Sequence, residues 1–104
     1  MDIRRLRWDD VNAAKVRAHG LSPSVVDDMI LVGLFEVFRD STDHPAARRI
    51  VIGPTSRERL ITLIVEPTET VGTVRPVTAY FSSPKEVRRY LARREQRRGS
   101  HREG

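Results

Sequence analysis

The sequence predicts an α+β domain in which helices pack on an antiparallel sheet. Apolar residues recur at helical spacing up to about residue 32, and from Leu34 onward they follow the patterns of strands. The connections between these later strands are short and rich in turn-forming residues, so they suit hairpins and cannot hold the crossover helix that parallel strands need. The 104 residues allow one domain with a modest core, which we place at residues 1–98.

An edge strand and a helix open the predicted fold. Residues 3–8 have too few apolar positions for a central strand, but they can form an edge strand anchored by Ile3, Leu6 and Trp8. A helix then starts at Asp9 and stops at Gly20, since glycine is common just past a helix end. Helical spacing gives this helix an apolar side and a polar stripe: Val11, Ala14 and Ala18 on the first, Asn12, Lys15 and His19 on the second.

A second helix and four strands follow. The helix covers residues 22–32, because Ser22 before Pro23 is typical of a helix start. The strands are rich in β-branched or aromatic residues and cover residues 34–39, 49–53, 59–65 and 73–80. The third of them is almost entirely apolar, which predicts a central position with both faces covered. Pro76 has no backbone N–H to donate, so it predicts an edge or a bulge in the last strand.

The last predicted helix carries most of the unbalanced charge. It starts at Ser83 and Pro84, where Ser83 and Glu86 can form a capping box. Its buried side consists of Val87, Tyr90 and Leu91. Six arginines are expected to face outward: Arg88, Arg89, Arg93, Arg94, Arg97 and Arg98. Beyond Gly99 we expect the chain to fray, so residues 99–104 are predicted to be a disordered basic tail.

The distribution of charge points to a polyanionic partner. Residues 1–84 carry 11 basic and 11 acidic side chains, whereas residues 85–104 carry 8 basic and 3 acidic ones, which accounts for the whole net charge of +5. A cationic helix attracts nucleic acid through counterion release. Of the 19 basic residues 17 are arginine, whose planar fork binds phosphate well. The alternative is a solvated helix face in a protein of arginine-rich composition.

Several classes of function are excluded by what the sequence lacks. Without cysteine there is no disulfide, no thiolate zinc site and no cysteine nucleophile. The sequence has no glycine-rich phosphate loop, nucleophile elbow or dinucleotide fingerprint. Asp40, Asp43 and His44 form the only cluster that resembles a metal site, and their turn-rich surroundings favour a solvated loop, so we expect no metal and no cofactor. The apolar runs are too short to span a membrane, and no apolar segment follows the basic start, so we expect a cytoplasmic protein.

Several short motifs resemble the BrnT-like toxins in their order and spacing. The early ones are Trp8-Asp9-x-x-Asn12, His19-Gly20-Leu21-Ser22-Pro23 and Val25-Val26-Asp27-Asp28-Met29. The later ones are Gly53-Pro54-Thr55, Arg59-Leu60, Arg75-Pro76-Val77-Thr78-Ala79 and Glu86-x-x-Arg89-Tyr90. Together they span residues 8–90, and no single motif is decisive.

The resemblance implies an activity, a fold and a partner. BrnT-like proteins are the toxins of type II toxin-antitoxin pairs, resemble the RelE superfamily in fold, and cleave RNA without a metal. A ribbon-helix-helix antitoxin neutralises them, so the resemblance implies an RNA substrate and a hetero-oligomer with such an antitoxin. Tyr80 stands where many relatives have arginine, and Glu58 where many have glycine. The alternative is therefore an inactive binding module that holds an antitoxin or RNA through its basic C-terminal helix.

Cleavage of RNA without a metal needs a base, an acid and cations around the phosphate. His19 can exchange a proton near neutral pH, and Lys15 lies four residues earlier on the same helix face. Trp8 is near enough in sequence to offer a stacking surface for a base. Each has a structural alternative: a histidine at a helix C-terminus is favoured by the helix dipole, and a tryptophan is often a core anchor.

Two strand arginines complete the expected catalytic set together with Tyr80. Arg59 and Arg75 lie in adjacent predicted strands, so as a pair they can clamp a phosphate. Alternatively, they pair with Glu58 or Glu66 across the strands.

Tyr80 can donate a hydrogen bond to phosphate or act as a base, unless it simply packs against the last helix. Arg88 and Arg89 on that helix can bind RNA or, equally, the antitoxin. A DNA-binding protein is a third reading, which only the basic tail favours, because no helix-turn-helix precedes it.

Overall fold

The protein is described by a computed structural model covering residues 2–40 and 47–102, with side chains up to residue 99. It contains five strands and three helices, and the predicted α+β class and element order are confirmed. Their bounds are β1 Arg5–Leu6, α1 Asp10–Ala18, α2 Pro23–Val32, β2 Glu36–Arg39, β3 Arg49–Pro54, β4 Leu60–Pro67, β5 Thr73–Phe81 and α3 Pro84–Arg102.

The strands form one mixed sheet in the order β1-β5-β4-β3-β2. Strands β2 to β5 are the predicted antiparallel meander. The apolar strand β4 is central, as its composition predicts. The first strand lies at the edge, also as predicted, but it is only two residues long and runs parallel to β5.

Strand β5 changes its neighbours along its length. The register with β4 shifts between Ile64 and Val65, which pair with Thr78 and Pro76, so the proline lies at the predicted bulge. On its other side, β1 pairs only with Thr73 and Val74. In the described part of the chain, no strand therefore covers the outer edge of β5 from residue 77 to residue 81.

The two faces of the sheet are covered by different helices. Side chains alternate along β4, so that Ile61, Leu63 and Val65 join the larger core, which also contains Val16 of α1 and Met29 of α2. The opposite face carries a smaller apolar cluster, in which Phe38, Ile52 and Tyr90 meet. Because Tyr90 belongs to α3, this helix covers the second face, and α1 and α2 cover the first.

The predicted apolar side of α1 is wrong. The buried residues are Asn12, Ala13 and Val16, whereas Val11 is 60% exposed. Asn12 turns inward because its Nδ2 donates to two backbone carbonyls, those of Arg7 at 3.1 Å and Pro76 at 2.9 Å. These carbonyls lie where β1 stops pairing with β5, so a buried amide replaces the missing strand.

The helix starts follow the local signals in the sequence. Ser22 caps α2 by accepting from the backbone N–H of Val25. In α3, Glu86 accepts from the backbone of Ser83 at 2.8 Å, and Ser83 accepts from Glu86 in return, which confirms the capping box. The predicted end of α3 is too early, because the helix continues past Gly99 to Arg102. A solvent-facing glycine costs a helix only about 1 kcal/mol, so it does not have to end one.

None of the three helices, over the described residues, combines the length and the apolar character that crossing a membrane requires.

Candidate functional site

A cleft of about 350 Å³ lies between the end of β5 and the first turn of α3. It is lined by Tyr80, Ser83, Lys85, Glu86 and Arg89. The Tyr80 hydroxyl donates to Oε2 of Glu86 at 2.7 Å, and the other carboxylate oxygen accepts the capping bond from Ser83. The capping carboxylate therefore also fixes the tyrosine side chain at the cleft.

His19 contacts Tyr80, one of the residues that line this cleft, from the opposite helix layer. It is the C-terminal cap of α1, and its ring lies 5.9 Å from that of Tyr80, measured between centroids, at an angle of 55°. Tyr80 pairs in register with Thr62, which lies between Ile61 and Leu63 in β4. Because those two side chains face α1 and α2, Thr62 and Tyr80 point to the opposite face of the sheet. The contact is therefore made across the outer edge of β5, where no strand intervenes. The folded chain thus brings two predicted site residues, His19 and Tyr80, together.

The protonation states at the cleft make Tyr80 a proton-bearing group. Burial, reinforced by the neighbouring Glu86 carboxylate, raises the pKa of Tyr80 to about 12. At neutral pH this hydroxyl is protonated and donates a hydrogen bond, which disfavours the predicted role of base. Burial also acts to raise the pKa of Glu86, but the hydrogen bonds from Tyr80 and Ser83 outweigh it and lower that pKa, so the carboxylate stays ionised.

Arg75 is engaged elsewhere. Its guanidinium holds Oδ2 of Asp9 at 2.9 and 3.0 Å, and a second contact reaches Glu66 at 3.9 Å. Asp9 is the N-cap of α1, so this ion pair ties the start of the helix to β5. The cross-strand alternative with Glu66 is confirmed, and Asp9 is a closer partner that the sequence analysis missed.

The predicted phosphate clamp of Arg59 and Arg75 is wrong. Arg59 precedes β4 near its pairing with the end of β5, and its guanidinium lies 4.0 Å from the centroid of the Phe81 ring. Arg75 pairs in register with Glu66 at the far end of the same two strands. Phe81 is six residues along β5 from Arg75, roughly 20 Å, so the two arginines cannot hold one phosphate.

Trp8 and Lys15 are in contrasting environments. The indole N–H of Trp8 donates to Asp27 of α2 at 2.9 Å, and its ring packs against the larger core. This is the core-anchor alternative, since the polar edge of the ring is already in use. Lys15 is exposed on α1 one turn before His19, and its ammonium group makes no hydrogen bond or ion pair with any described residue.

Four arginines of the stripe that was predicted to face outward on α3 bind other side chains, and of these Arg93 and Arg94 are half-buried while Arg89 and Arg97 are exposed. Arg94 and Arg97 bind the carboxylate of Glu36 at 3.0 and 2.7 Å, and that side chain is only 1% exposed. Arg89 and Arg93 stack on the ring of Phe38, at 4.2 and 4.4 Å from its centroid.

A signal for this arrangement was present in the sequence. Glu36 and Phe38 are two residues apart in β2, so they share a face, and an acid on a buried face requires a basic partner. Arg88, by contrast, is exposed and makes no hydrogen bond or ion pair with the described residues.

Two members of the cleft were missed at the sequence level. Glu86 was recognised only as a cap, and Lys85 was not assigned a role. Their position beside Tyr80 depends on how the chain turns between β5 and α3. This turn cannot be predicted from residue type or from spacing.

One departure from the BrnT-like pattern has a conformational explanation. Glu58 adopts a φ of +64°, the left-handed region that favours glycine. Glycine, the residue of the BrnT-like pattern at this position, would therefore suit the turn between β3 and β4, and glutamate in its place removes no chemical group from the cleft.

Among the described residues, no group of three histidine, aspartate or glutamate side chains is placed to hold a metal ion. Asp43 and His44, from the cluster noted in the sequence, lie outside the described residues. No protein-family model matches the sequence, and a search of curated proteins finds no match. The BrnT-like resemblance stays a prediction, carried by the motifs.

Proposed function

We propose that this protein is a ribonuclease toxin of a type II toxin-antitoxin pair, which cleaves RNA without a metal in the cytoplasm and so inhibits translation and growth. The observation that carries the proposal is the contact between the His19 ring and Tyr80 at a cleft that Lys85 and Arg89 also line. An imidazole, a hydroxyl donor and two cations are the groups that metal-independent cleavage of RNA needs.

In the proposed reaction the ribose 2′-oxygen attacks the adjacent phosphorus. His19 takes the proton from the 2′-hydroxyl, the new 2′-O–P bond forms and the P–O5′ bond breaks. The departing 5′-oxygen takes a proton from the ammonium group of Lys85. The products are a 2′,3′-cyclic phosphate and a free 5′-hydroxyl, so the protons balance.

Tyr80 and Arg89 stabilise the charge that develops on the phosphate. Tyr80 remains protonated at neutral pH, so its hydroxyl can turn from Glu86 to a phosphoryl oxygen as a donor. Arg89 lines the same cleft and is held against Phe38, so it requires little reorganisation when substrate binds. Lys15, exposed one turn from His19, adds longer-range attraction for the RNA backbone.

The alternative function is a binding module without activity. One observation favours it: Tyr80 and Arg75 are already paired with carboxylates, those of Glu86 and Asp9. In this alternative these side chains serve the fold alone, and the exposed Arg88 and Lys85 contribute to binding an antitoxin or RNA.

The deciding experiment compares cleavage of a fluorogenic single-stranded RNA in excess EDTA by the parent and three variants. His19→Ala and Lys85→Met are expected to lose at least 100-fold in rate, because each removes a proton-transfer group. Arg17→Met is the matched control, since it deletes the same charge from an exposed site on α1 outside the cleft. It is expected to lose less than fivefold.

Circular dichroism must first show that all variants fold. Cleavage by the parent that survives both His19→Ala and Lys85→Met contradicts the assigned site. A folded parent that does not cleave, and whose expression alone does not arrest growth, contradicts the ribonuclease proposal and favours the binding module.

We also propose that a ribbon-helix-helix antitoxin binds and neutralises the protein as a hetero-oligomer. The test is to co-express the chain with the product of a small open reading frame beside its own. We expect the two proteins to co-purify and growth to be restored. Growth arrest that persists in the presence of that product contradicts the pairing.

A further inference from the structure

A second pocket, of about 210 Å³, adjoins the cleft on the other face of the sheet. It is lined by five residues that we call its apolar floor, Gly20, Leu21, Val25, Ile61 and Phe81, by the buried Thr55, and by two exposed arginines that we call its rim, Arg57 and Arg59. We refer to it as the Phe81 pocket. We propose that the Phe81 pocket binds one base of single-stranded RNA, next to the phosphate that is cleaved. The inference deepens the proposed ribonuclease function and rests on it.

The floor of the pocket supplies a stacking surface. Phe81 is 38% exposed, although the residues beside it in the pocket include the fully buried Ile61. Arg59 places its guanidinium carbon 4.0 Å from the ring centroid, so a planar cation lies over the aromatic ring. Single-stranded RNA is bound by stacking its bases on aromatic rings and on arginine planes.

The rim of the Phe81 pocket supplies positive charge for the RNA backbone. The Arg57 side chain is exposed and makes no ion pair with any described residue, and the Arg59 side chain likewise makes no ion pair there and contacts the Phe81 ring. An apolar floor bordered by two arginines matches a nucleotide, with its flat base and anionic phosphate, better than it matches an uncharged apolar ligand.

The position of the pocket relative to the cleft favours a neighbouring nucleotide. Gly20 follows His19 directly, and Phe81 follows Tyr80 directly, so each proposed catalytic side chain is one residue from the pocket. Successive side chains of a strand point to opposite faces, which puts Tyr80 and Phe81 on the two sides of β5.

RNA must therefore cross the edge of β5 to occupy both places. No strand of the described chain pairs with that edge at this point, because β1 pairs only with Thr73 and Val74, and the end of α1 lies beside it through His19 and Gly20. A flexible single strand can make this turn and a duplex cannot. The pocket thus gives a physical reason for a single-stranded substrate and makes Arg59 a stacking residue in place of half of a phosphate clamp.

The test measures binding of a short 2′-O-methyl RNA, which cannot be cleaved because the attacking hydroxyl is blocked. A series of such oligonucleotides carries a single abasic position at each place in turn. In the parent, one abasic position is expected to weaken binding about tenfold, the loss of one base stack. Phe81→Ala is expected to bind the intact oligonucleotide about tenfold more weakly than the parent does. In this variant the same abasic position is expected to weaken binding by less than twofold.

A second variant guards against a folding defect of Phe81→Ala. Val25 is the third residue of α2, whose cap is Ser22, so Val25→Glu completes a capping box while placing a carboxylate in the pocket. We expect it to weaken binding at least tenfold. Leu31→Glu is the matched control: it adds the same charge to the same helix at a residue that is 85% exposed outside the pocket, and should change binding less than twofold.

The outcomes separate this inference from the ribonuclease proposal. If Val25→Glu and Leu31→Glu weaken RNA binding equally, the base pocket is overturned. It is also overturned if Phe81→Ala folds and the abasic position still weakens binding as much as in the parent. Neither result affects the ribonuclease proposal, provided that the parent cleaves RNA. If the parent does not bind the uncleavable RNA, the base pocket is wrong whatever the cleavage assay shows. If Val25→Glu instead abolishes capture of the antitoxin and leaves RNA binding unchanged, the pocket is a protein contact and the inference fails.

Discussion

The two faces of the sheet are held by different forces. Beneath α1 and α2, twelve buried apolar residues of the described chain form one core that includes Met29 and Leu63. Beneath α3, three buried apolar residues are supplemented by arginines that stack on Phe38 or bind the buried Glu36. Apolar burial is insensitive to salt, whereas ion pairs with partly exposed arginines are screened. The stability of the α3 face should therefore depend on ionic strength, and that of the α1–α2 face should not.

The same contrast explains the basic C-terminal region. Residues 85–104 carry the whole excess charge of the chain, which suggests a free nucleic-acid-binding face. In the folded protein Arg94 and Arg97 neutralise Glu36, and Arg89 and Arg93 cover Phe38. Much of this charge is structural. The cations that we propose for binding a polyanion are therefore mostly elsewhere, at the start of α3, on α1 and on the rim of the Phe81 pocket, and only Arg89 serves both purposes.

The largest expected effect is on the apolar face. Leu63→Ala removes a fully buried side chain from the centre of β4 and should lower the free energy of unfolding by about 3 kcal/mol. Urea titrations at low and high sodium chloride should give the same loss. A loss that shrinks markedly with salt contradicts the assignment of this face to apolar packing.

The next effect tests the ionic face. Glu36→Gln keeps the shape but removes the charge that Arg94 and Arg97 share, and should cost about 2 kcal/mol at low salt and clearly less in molar sodium chloride. Glu95→Gln is the matched control, because its pair with Arg98 is exposed and 3.6 Å long, and should cost less than about 0.5 kcal/mol. Equal effects of the two variants would show that Glu36 does not hold α3.

The third substitution is expected to affect neither of the two helix-covered faces of the sheet. Glu58→Gly relieves a left-handed backbone at the β3–β4 turn and should stabilise the protein by about 1 kcal/mol, independently of salt. Thermal unfolding is sufficient to measure it. A destabilised variant would mean that the Glu58 side chain contributes more than its backbone strain costs.

The smallest effect concerns the rim of the apolar face, where Asp9 caps α1 and binds Arg75. The pKa of Asp9 is lowered, first by the hydrogen bond from the backbone of Asn12 and further by Arg75, against the opposing effect of desolvation. Its contribution is present above the ordinary value of 3.8 and is lost as the pH falls through the lower folded value. Asp9→Asn, which retains a good cap, should lower Tm by about 2–3 °C at neutral pH.

That difference in Tm should close as the solution is acidified below the lowered pKa of Asp9 in the folded protein, because the parent carboxylate is then protonated as well. A gap that persists in acid would assign the effect of Asp9→Asn to altered capping geometry and not to the charge.

The sequence alone determined the elements whose signals are local. The capping box of Ser83 and Glu86, the cap at Ser22, the central apolar strand and the bulge at Pro76 were all predictable, because each depends on residues within a few positions of one another. The antiparallel meander was predictable because the connections between its strands are too short to hold the crossover helix that parallel strands need.

Tertiary structure decided everything that depends on pairs distant in the chain. It buried Asn12 against Pro76, brought His19 to Tyr80 across an open sheet edge, separated Arg59 from Arg75, and turned the arginines of α3 inward to Glu36. Each outcome depends on which strand lies beside which and which face a helix covers. Local propensity carries no information on either, because both follow from the burial and hydrogen bonding of the whole chain at once.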